Sequence, residues 1–252
     1  MAKQRKRNQK RHAQKERAHE KHGHKKHTHP MHTICLVLAF VLAASLGTWF
    51  AITPTLERNR QMRYQAELLA AIEDGDGVIS VNSAELIVNS EMYDTYQLNF
   101  IPGNYAQANN YPLNTMHYTL NGIGILTIER IDARLPVTAG ASAAQLDVAV
   151  GHVSQTPQIG SPGNAVIAGH RSFTHGRFFN RLDELALGDV IGYRPIGGQT
   201  MEFEVFETLV VLPGDPVAFY QPVDESIITL LTCTPIHTAT HRLLVRARRI
   251  NY

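Results

Sequence analysis

The hydrophobic pattern of the chain begins with an uncharged run near its amino end. Residues 34–52 read ICLVLAFVLAASLGTWFAI, 19 residues without a charged side chain. As a helix, such a run spans a hydrocarbon core of roughly 30 Å, and Trp49 lies near its end, where indole rings favour the membrane interface. We therefore predict an uncleaved transmembrane signal anchor over residues 34–53. A cleaved signal peptide is the alternative, because small residues at 43–45 offer a cleavage point; both interpretations export the chain beyond about residue 54.

The next part of the chain, residues 54–118, has weaker patterns. Apolar residues recur at loosely helical spacing over 54–72, which predicts a stalk or short helix; they are Leu56, Met62, Leu68, Leu69 and Ile72. A polar stretch rich in glycine and asparagine extends from Glu73 to about Tyr118 and predicts a linker, or an extension that covers the site as a lid. Its Asp74-Gly75-Asp76-Gly77 is interpreted as a turn, because the other ligands of a calcium loop are not at the required positions.

From Leu120 onward, short β-like runs alternate with turn residues. The runs are GILTIERI, RLPVTA, NAVIAGH, DVIGYR, MEFEVFETLVVL, SIITLLTC and HRLLVRARRI. Their regular spacing predicts a mostly β domain over residues 119–252, folded as a closed barrel with a few short helices. The helix candidates are ASAAQLDVAV, with Ser142 as a possible N-cap, and FFNRLDEL.

Charge divides the chain into two unlike parts. The formal net charge is +2, from 24 Lys+Arg and 22 Asp+Glu, but residues 1–33 hold 11 of the basic residues and only Glu16 and Glu20 as acids. Positive charge beside a membrane span stays in the cytoplasm, so we expect residues 1–33 inside and the carboxyl-terminal domain outside the cell. A nucleic-acid-binding arm or a metal-binding histidine tract is a weaker interpretation of this tail. The remainder is acidic, which argues against a nucleic-acid partner.

Cys233 is the strongest candidate for chemistry in the exported part. The other cysteine, Cys35, lies in the apolar run, so Cys233 has no disulfide partner within the domain. It ends the run at residues 227–232, and Thr234-Pro235 breaks the strand pattern, which predicts a thiol at the rim of the sheet. Free cysteines are often small buried hydrophobes, but a lone cysteine accompanied by a histidine and a cation is also a candidate nucleophile.

Two further residues are placed to accompany that thiol. Alternation in HRLLVRARRI puts Arg242 first on one face of a strand, nearest the loop after Cys233. His170 ends the buried-looking run NAVIAG, where Gly169 permits close backbone approach. Lone histidines are usually structural or solvated, so His170 gains weight only as part of a set.

Together, the motifs VIAGHR, LLTCTP and THRLLVRA resemble the signature of the sortases, Gram-positive cysteine transpeptidases that anchor proteins to the cell wall or polymerise pilins. The resemblance runs from about Gly122 to Arg249. It implies a sortase-type β-barrel with Cys233 as nucleophile, His170 as general acid/base and Arg242 as the cation that positions substrate and stabilises the oxyanion. It also implies protein substrates with an LPxTG-like sorting signal, an amine acceptor on a pilin lysine or a peptidoglycan cross-bridge, and no cofactor apart from an open question of calcium.

The class within that family stays open at this point. The carboxyl-terminal motif and the long segment before the barrel resemble the pilin-polymerising class C, whereas GHRSFTHGRFFNRLDEL also resembles class D. The lone Asp-Pro pair, Asp215-Pro216, precedes the cysteine strand instead of lying upstream of the barrel as in a class C lid. LPVTAG at residues 135–140 looks like a sorting signal, but its position within a strand favours a structural role.

Two other kinds of protein fit parts of the pattern. A membrane-anchored cysteine peptidase would use the same thiol and imidazole and pass the acyl group to water. A wall-facing β-barrel binding module would leave Cys233 without a chemical role. Product analysis with an added amine, and thiol labelling combined with activity loss, separate these alternatives.

Overall fold

A computed structural model describes residues 30–82, 117–172, 176–222 and 224–250. Its contacts divide the chain into two compact units, with the boundary between Thr55 and Leu56. The basic tail and most of its histidines lie outside the described residues, as does segment 83–116, which carries most of the predicted lid.

The first described element is a long helix, α1 (Pro30–Asp74). Its apolar part is long and hydrophobic enough to cross a membrane, and none of that stretch is buried. Large apolar side chains there are exposed, among them Leu36 at 71%, Phe40 at 75% and Trp49 at 68%. Such exposure is costly in water and favourable in lipid. The length and composition agree with the predicted single-pass anchor.

The second unit contains a nine-stranded sheet. Its strands are β1 (Val78–Asn82), β2 (His117–Ile128), β3 (Ala133–Ala139), β4 (Val150–His152), β5 (Gly163–Ala168), β6 (Val190–Pro195), β7 (Met201–Val211), β8 (Ser226–Thr234) and β9 (His241–Arg249). A short helix, α2 (Ala143–Leu146), lies between β3 and β4, and 3-10 turns occupy Glu129–Ile131, Leu182–Glu184 and Pro216–Phe219.

Pairing of β2 with both β3 and β6 closes the sheet into a barrel. The order is β2-β3-β4-β5-β8-β9-β7-β6, and β6 then returns to β2 through pairs such as Leu126 with Tyr193. Closure gives each of these eight strands a neighbour on both sides and so removes free edges that would otherwise attract another chain, whereas β1 pairs only with β2. The prediction of a mostly β closed barrel with few helices is confirmed.

Strand alternation separates the buried side chains into distinct clusters. On β9, Leu243, Val245 and Ala247 join the cluster inside the barrel, whereas Leu244 joins a separate cluster with Leu231 and Val166. The predicted alternation of this strand is therefore correct, although both of its faces are buried over most of its length.

The last turns of α1 pack against the barrel. Tyr64, Leu68 and Ile72 are buried in a cluster that also contains Leu120 and Ile125 of β2. Their spacing of four residues places them on one helix face. Of the predicted helical pattern, Leu68 and Ile72 are buried, whereas Leu56 and Met62 are exposed. This part of α1 thus belongs to the folded domain.

Three local predictions need correction. The segment predicted as a linker contains β1, which pairs with the first half of β2. The predicted helix over residues 141–150 is only four residues long, with Gln145 Oε1 accepting the Ser142 N–H at 2.8 Å. The next element is β4, which sequence patterns did not predict, since three residues carry too little periodicity.

Two other local predictions agree with the structure. Asp74 ends α1, and Gly75 and Gly77 adopt positive φ values of 91° and 67°, which forms the expected turn. The LPVTAG segment contributes its first five residues to β3, where Val137 and Thr138 are fully buried.

Candidate active site

Cys233 lies where β8 emerges from the barrel. The first seven residues of this strand are buried, and Cys233 and Thr234 are the first with partial exposure. The apolar run of β8 anchors the strand in the core, and its last two residues reach the rim. Cys233 is therefore supported by a buried strand and is partly exposed at the rim, the position expected from the sequence.

Arg242 is brought directly beside this position by the neighbouring strand. In the antiparallel pairing of β8 with β9, Cys233 is opposite Arg242 and Thr234 is opposite His241. The Arg242 side chain is 3% exposed, and its Nη1 donates to the carbonyl oxygens of Ala239 and His241, both at 3.0 Å. These bonds hold the guanidinium at the end of the strand.

His170 reaches the same end of the barrel from the other side of β8. Strands β5 and β8 are parallel, and Ala168 pairs with Leu231. His170 and Cys233 each lie two residues beyond that pair. Because parallel strands run in the same direction, both residues emerge at one edge, so the three sequence-predicted residues come from three adjacent strand ends.

Two hydrogen bonds hold these strand ends together. The Gly169 N–H donates to the Leu231 carbonyl at 3.0 Å, and Thr232 Oγ1 donates to the Gly169 carbonyl at 2.8 Å. A Cβ on Gly169 would lie 2.6 Å from the Phe179 ring and 2.9 Å from Val150 Cγ1, too close for ordinary contact. The predicted close backbone approach at Gly169 is confirmed.

Burial decides the protonation of both candidate catalytic groups. It raises the pKa of the Cys233 thiol, and the charges of Arg242 and Arg171 oppose that rise. Burial, with a smaller contribution from Arg177, lowers the pKa of His170 to about 4. At neutral pH the thiol and the imidazole are therefore both mainly neutral, because removal from water disfavours each charged form.

Sequence patterns missed two arginines near this site. The Arg171 side chain is only 5% exposed and forms an ion pair with Asp183 at 2.7 Å. Arg177 packs its guanidinium over Phe178, 4.9 Å from the ring centroid, and its Nη1 donates to Gln61 Oε1 of α1 at 2.8 Å. Adjacency of Arg171 to His170 was the one available signal.

Other candidate sites have structural explanations. Asp215 caps the 3-10 turn Pro216–Phe219, with its Oδ1 accepting the Val217 N–H at 3.0 Å. Among the described residues, no group of three or more histidine, cysteine, aspartate or glutamate side chains is arranged to hold a metal ion.

Comparison with known proteins adds to this geometry. A family model described as the Sortase domain matches residues 126–250. Sortase D of Bacillus subtilis (strain 168) is 28% identical over 130 residues, and the match covers 50% of this chain and 63%, less than two thirds, of that protein's length.

Solved structures give the same result for the fold. Sortase C1 of GBS Pilus Island 1 matches with 27% identity and a TM-score of 0.54, covering 75% of this chain and 93% of that one. Sortase C-1 from Actinomyces oris has 27% identity and a TM-score of 0.50, with coverage of 67% and 98%. The motifs, the closed barrel and these likenesses agree, and the chain belongs to the sortase family, whose members are cysteine transpeptidases.

Proposed function

We propose that this chain is a membrane-anchored transpeptidase that cleaves an LPxTG-like sorting signal through a thioester on Cys233 and passes the acyl group to an amine. The observation that carries the proposal is the convergence of Cys233, Arg242 and the end of β5 with His170 at one edge of the barrel. A thiol, an imidazole and a fixed cation are the groups that acyl transfer by a cysteine nucleophile needs.

The reaction proceeds in two steps, formation of a thioester and its cleavage by an amine. The Cys233 thiolate attacks the threonine carbonyl carbon of the substrate, the peptide C–N bond breaks, and the His170 imidazolium gives its proton to the leaving amine. In the second step an incoming amine attacks the thioester, its proton passes to His170, and the thiolate leaves. Arg242 stabilises the negative charge on the carbonyl oxygen in both steps.

The protonation states of Cys233 and His170 limit the fraction of enzyme that is reactive at neutral pH. Burial favours neutral Cys233 and neutral His170, so the reactive pair of thiolate and imidazolium is a minor population at neutral pH. Arg242 and Arg171 increase the share of thiolate because they lower the pKa of Cys233 relative to burial alone. The enzyme thus works through a small reactive fraction, which protects an exported thiol from unwanted oxidation.

The apolar anchor and the charge of the tail support a location for the proposed enzyme. We place residues 34–53 across the cell membrane once, the basic tail in the cytoplasm and the barrel outside. The acceptor is an amine of a pilin lysine or of a peptidoglycan cross-bridge. Similarity to a sortase C1 from a pilus island supports a pilin lysine as the acceptor. Similarity to a sortase D keeps the peptidoglycan cross-bridge as the alternative acceptor.

Mass spectrometry of the full chain in detergent micelles tests this function. The protein is incubated with an LPxTG-type peptide and either a lysine-containing peptide or triglycine. We expect a thioester on Cys233 and transfer to one amine, and the preferred amine identifies the acceptor. Cys233→Ala should abolish both products, whereas the control Cys35→Ser, in the anchor, should retain them.

Three results would contradict the proposal. Release of the peptide to water alone, unaffected by amine, would indicate a cysteine peptidase. A Cys233→Ala protein that transfers the peptide as fast as wild type would exclude the cysteine mechanism, and a binding module without activity would show neither thioester nor product.

A further inference from the structure

A buried arginine connects the strand ends that carry two of the three predicted site residues, His170 and Cys233. Arg171 comes directly after His170, and its side chain reaches the end of β8, where Nη1 donates to Thr234 Oγ1 at 2.8 Å. Thr234 is the residue next to Cys233. One side chain therefore joins the histidine end of β5 to the cysteine end of β8.

The rest of the guanidinium is fixed by the segment after the histidine. Its Nε donates to the Asn180 carbonyl at 3.3 Å, and its Nη2 pairs with Asp183 Oδ2 at 2.7 Å. All three nitrogens thus have partners, two in the segment after the histidine and one at the end of β8. Only a planar group with several fixed donors can bind such a set at once, which is the property that distinguishes arginine from lysine.

The same segment is tied to the backbone of the histidine. Arg171 forms an isolated antiparallel bridge with Phe178, and the Phe179 N–H donates to the His170 carbonyl at 3.1 Å. The Arg171 side chain extends this pairing to Asp183 and to Thr234. Movement of the segment would therefore change the position of the imidazole relative to the thiol.

We infer that Arg171 is a positioning residue that holds the His170 and Cys233 strand ends in register and supplies a second cation to the thiol. This inference rests on the proposed function of Cys233 and His170. Arg242 from β9 and Arg171 after β5 are the described charged groups that act on the thiol, and both favour its ionised form. The two cations approach from opposite neighbours of β8.

Substitutions can separate the charge of Arg171 from its geometry. Arg171→Gln removes both. Arg171→Lys keeps the charge but presents a compact ammonium that cannot serve Thr234, Asn180 and Asp183 together. Thr234→Val removes only the contact to β8. Arg181→Gln is the control, since Arg181 lies in the same segment but binds Glu184 and the Ile131 carbonyl instead.

The experiment uses the full chain in detergent micelles with Cys35→Ser, so that Cys233 is the remaining thiol of the two in the sequence. Alkylation of Cys233 by iodoacetamide is monitored against pH, and kcat and KM are measured for transfer of an LPxTG-type peptide. We expect Arg171→Gln to move the alkylation midpoint to higher pH and to lower kcat roughly 10- to 100-fold, with a much smaller change in KM.

The other variants should separate the shift of the alkylation midpoint from the fall in kcat. Arg171→Lys should restore the alkylation midpoint but not kcat, and Thr234→Val should lower kcat without moving the midpoint. Arg181→Gln should match wild type in both. An Arg171→Gln protein with a lower melting temperature but wild-type midpoint and kcat would show a purely structural role and overturn the inference.

Failure of the proposed function gives a different result. If Cys233→Ala transfers peptide like wild type, the cysteine mechanism is wrong. The alkylation midpoint of Arg171→Gln would still report on Arg171, because alkylation requires no turnover.

Discussion

Arg242 lies directly opposite Cys233 across the antiparallel pair of β8 and β9. The register of two strands, set by apolar residues along both, thus determines which cation stands beside the thiol. If the pairing of β9 with β8 slipped by one residue, the side chain of Arg242 would move to the opposite face of the sheet. The core of the barrel and the chemistry at its edge are therefore specified by the same pairing.

Loss of Arg242 should affect both ionisation and catalysis. In Arg242→Gln the pKa of Cys233 should rise further above its ordinary value, because a cation that opposes the effect of burial is removed. We expect kcat for peptide transfer to fall about 100-fold or more, the usual cost of one oxyanion donor. Alkylation against pH and steady-state kinetics measure the two effects. Arg248→Gln is the control, because Arg248 lies on the same strand as Arg242 but is exposed and forms an ion pair with Glu225.

The close packing at Gly169 gives a second prediction. Gly169→Ala places a methyl group against Phe179 and Val150 and should cost about 1–3 kcal/mol of unfolding free energy through overpacking. It should also displace His170 and lower kcat. Gly192→Ala is the matched control, since its nearest neighbour is Thr200 Cγ2 at 3.6 Å, an ordinary contact. Equal melting temperatures for the two variants would contradict the packing argument.

Arg177 should control the protonation of His170. Its positive charge contributes to lowering the pKa of this imidazole, so Arg177→Gln should raise that pKa and move the acid limb of the pH–rate profile to higher pH. Titration of carbon-13-labelled histidine by NMR measures the shift without turnover. Arg130→Gln, with a largely exposed side chain, should leave the titration unchanged. An unchanged His170 titration in Arg177→Gln would exclude this coupling.

The low pKa of His170 also predicts a loss of stability in acid. Between its ordinary pKa of 6.5 and the folded value of about 4, the unfolded chain binds a proton that the folded chain does not. Stability is thus retained above pH 6.5 and lost as the pH falls towards 4, by at most about 1.4 kcal/mol per pH unit. Melting temperatures of wild type and His170→Gln over this range test the prediction. The variant should show the smaller dependence on pH.

The packing of the final turns of α1 can be tested in the same way. Leu68 is fully buried against the barrel, so Leu68→Ala should cost about 2–5 kcal/mol. Leu187→Ala, at a side chain 69% exposed, should cost little. If Leu68→Ala melts like wild type, this part of the helix is not an integral part of the domain.

Much of this architecture is predictable from the sequence because its longer strands carry a clear apolar pattern, either alternating as in β7 or continuous as in β5 and β8. The runs that end at His170 and Cys233 are five or more buried residues and then a break, so the pattern alone places both residues at the rim. β1 was missed because its five residues lie in a polar segment, and β4 because it has only three. Short strands are stabilised by their neighbours, which a local pattern does not contain.

The role of Arg171 is unpredictable for a different reason. Its contacts with Thr234 and Asp183 depend on strands and turns that the fold brings together from distant positions. An arginine that starts a polar loop looks solvated until its partners are known. Cys233 and Arg242, by contrast, are separated by one short loop, so a single hairpin is enough to bring them together.

The position of β9 between β7 and β8 sets an order of assembly. Both neighbours precede it along the chain, yet their facing edges can be joined only when residues 241–249 enter the sheet. Arg242 is carried by that strand, so the thiol lacks this one of its two cations until β9 has paired with β8. A chain made from its amino end therefore brings Cys233, His170 and Arg242 together only after β9 has joined the sheet, so the candidate site and the barrel are completed by the same strand.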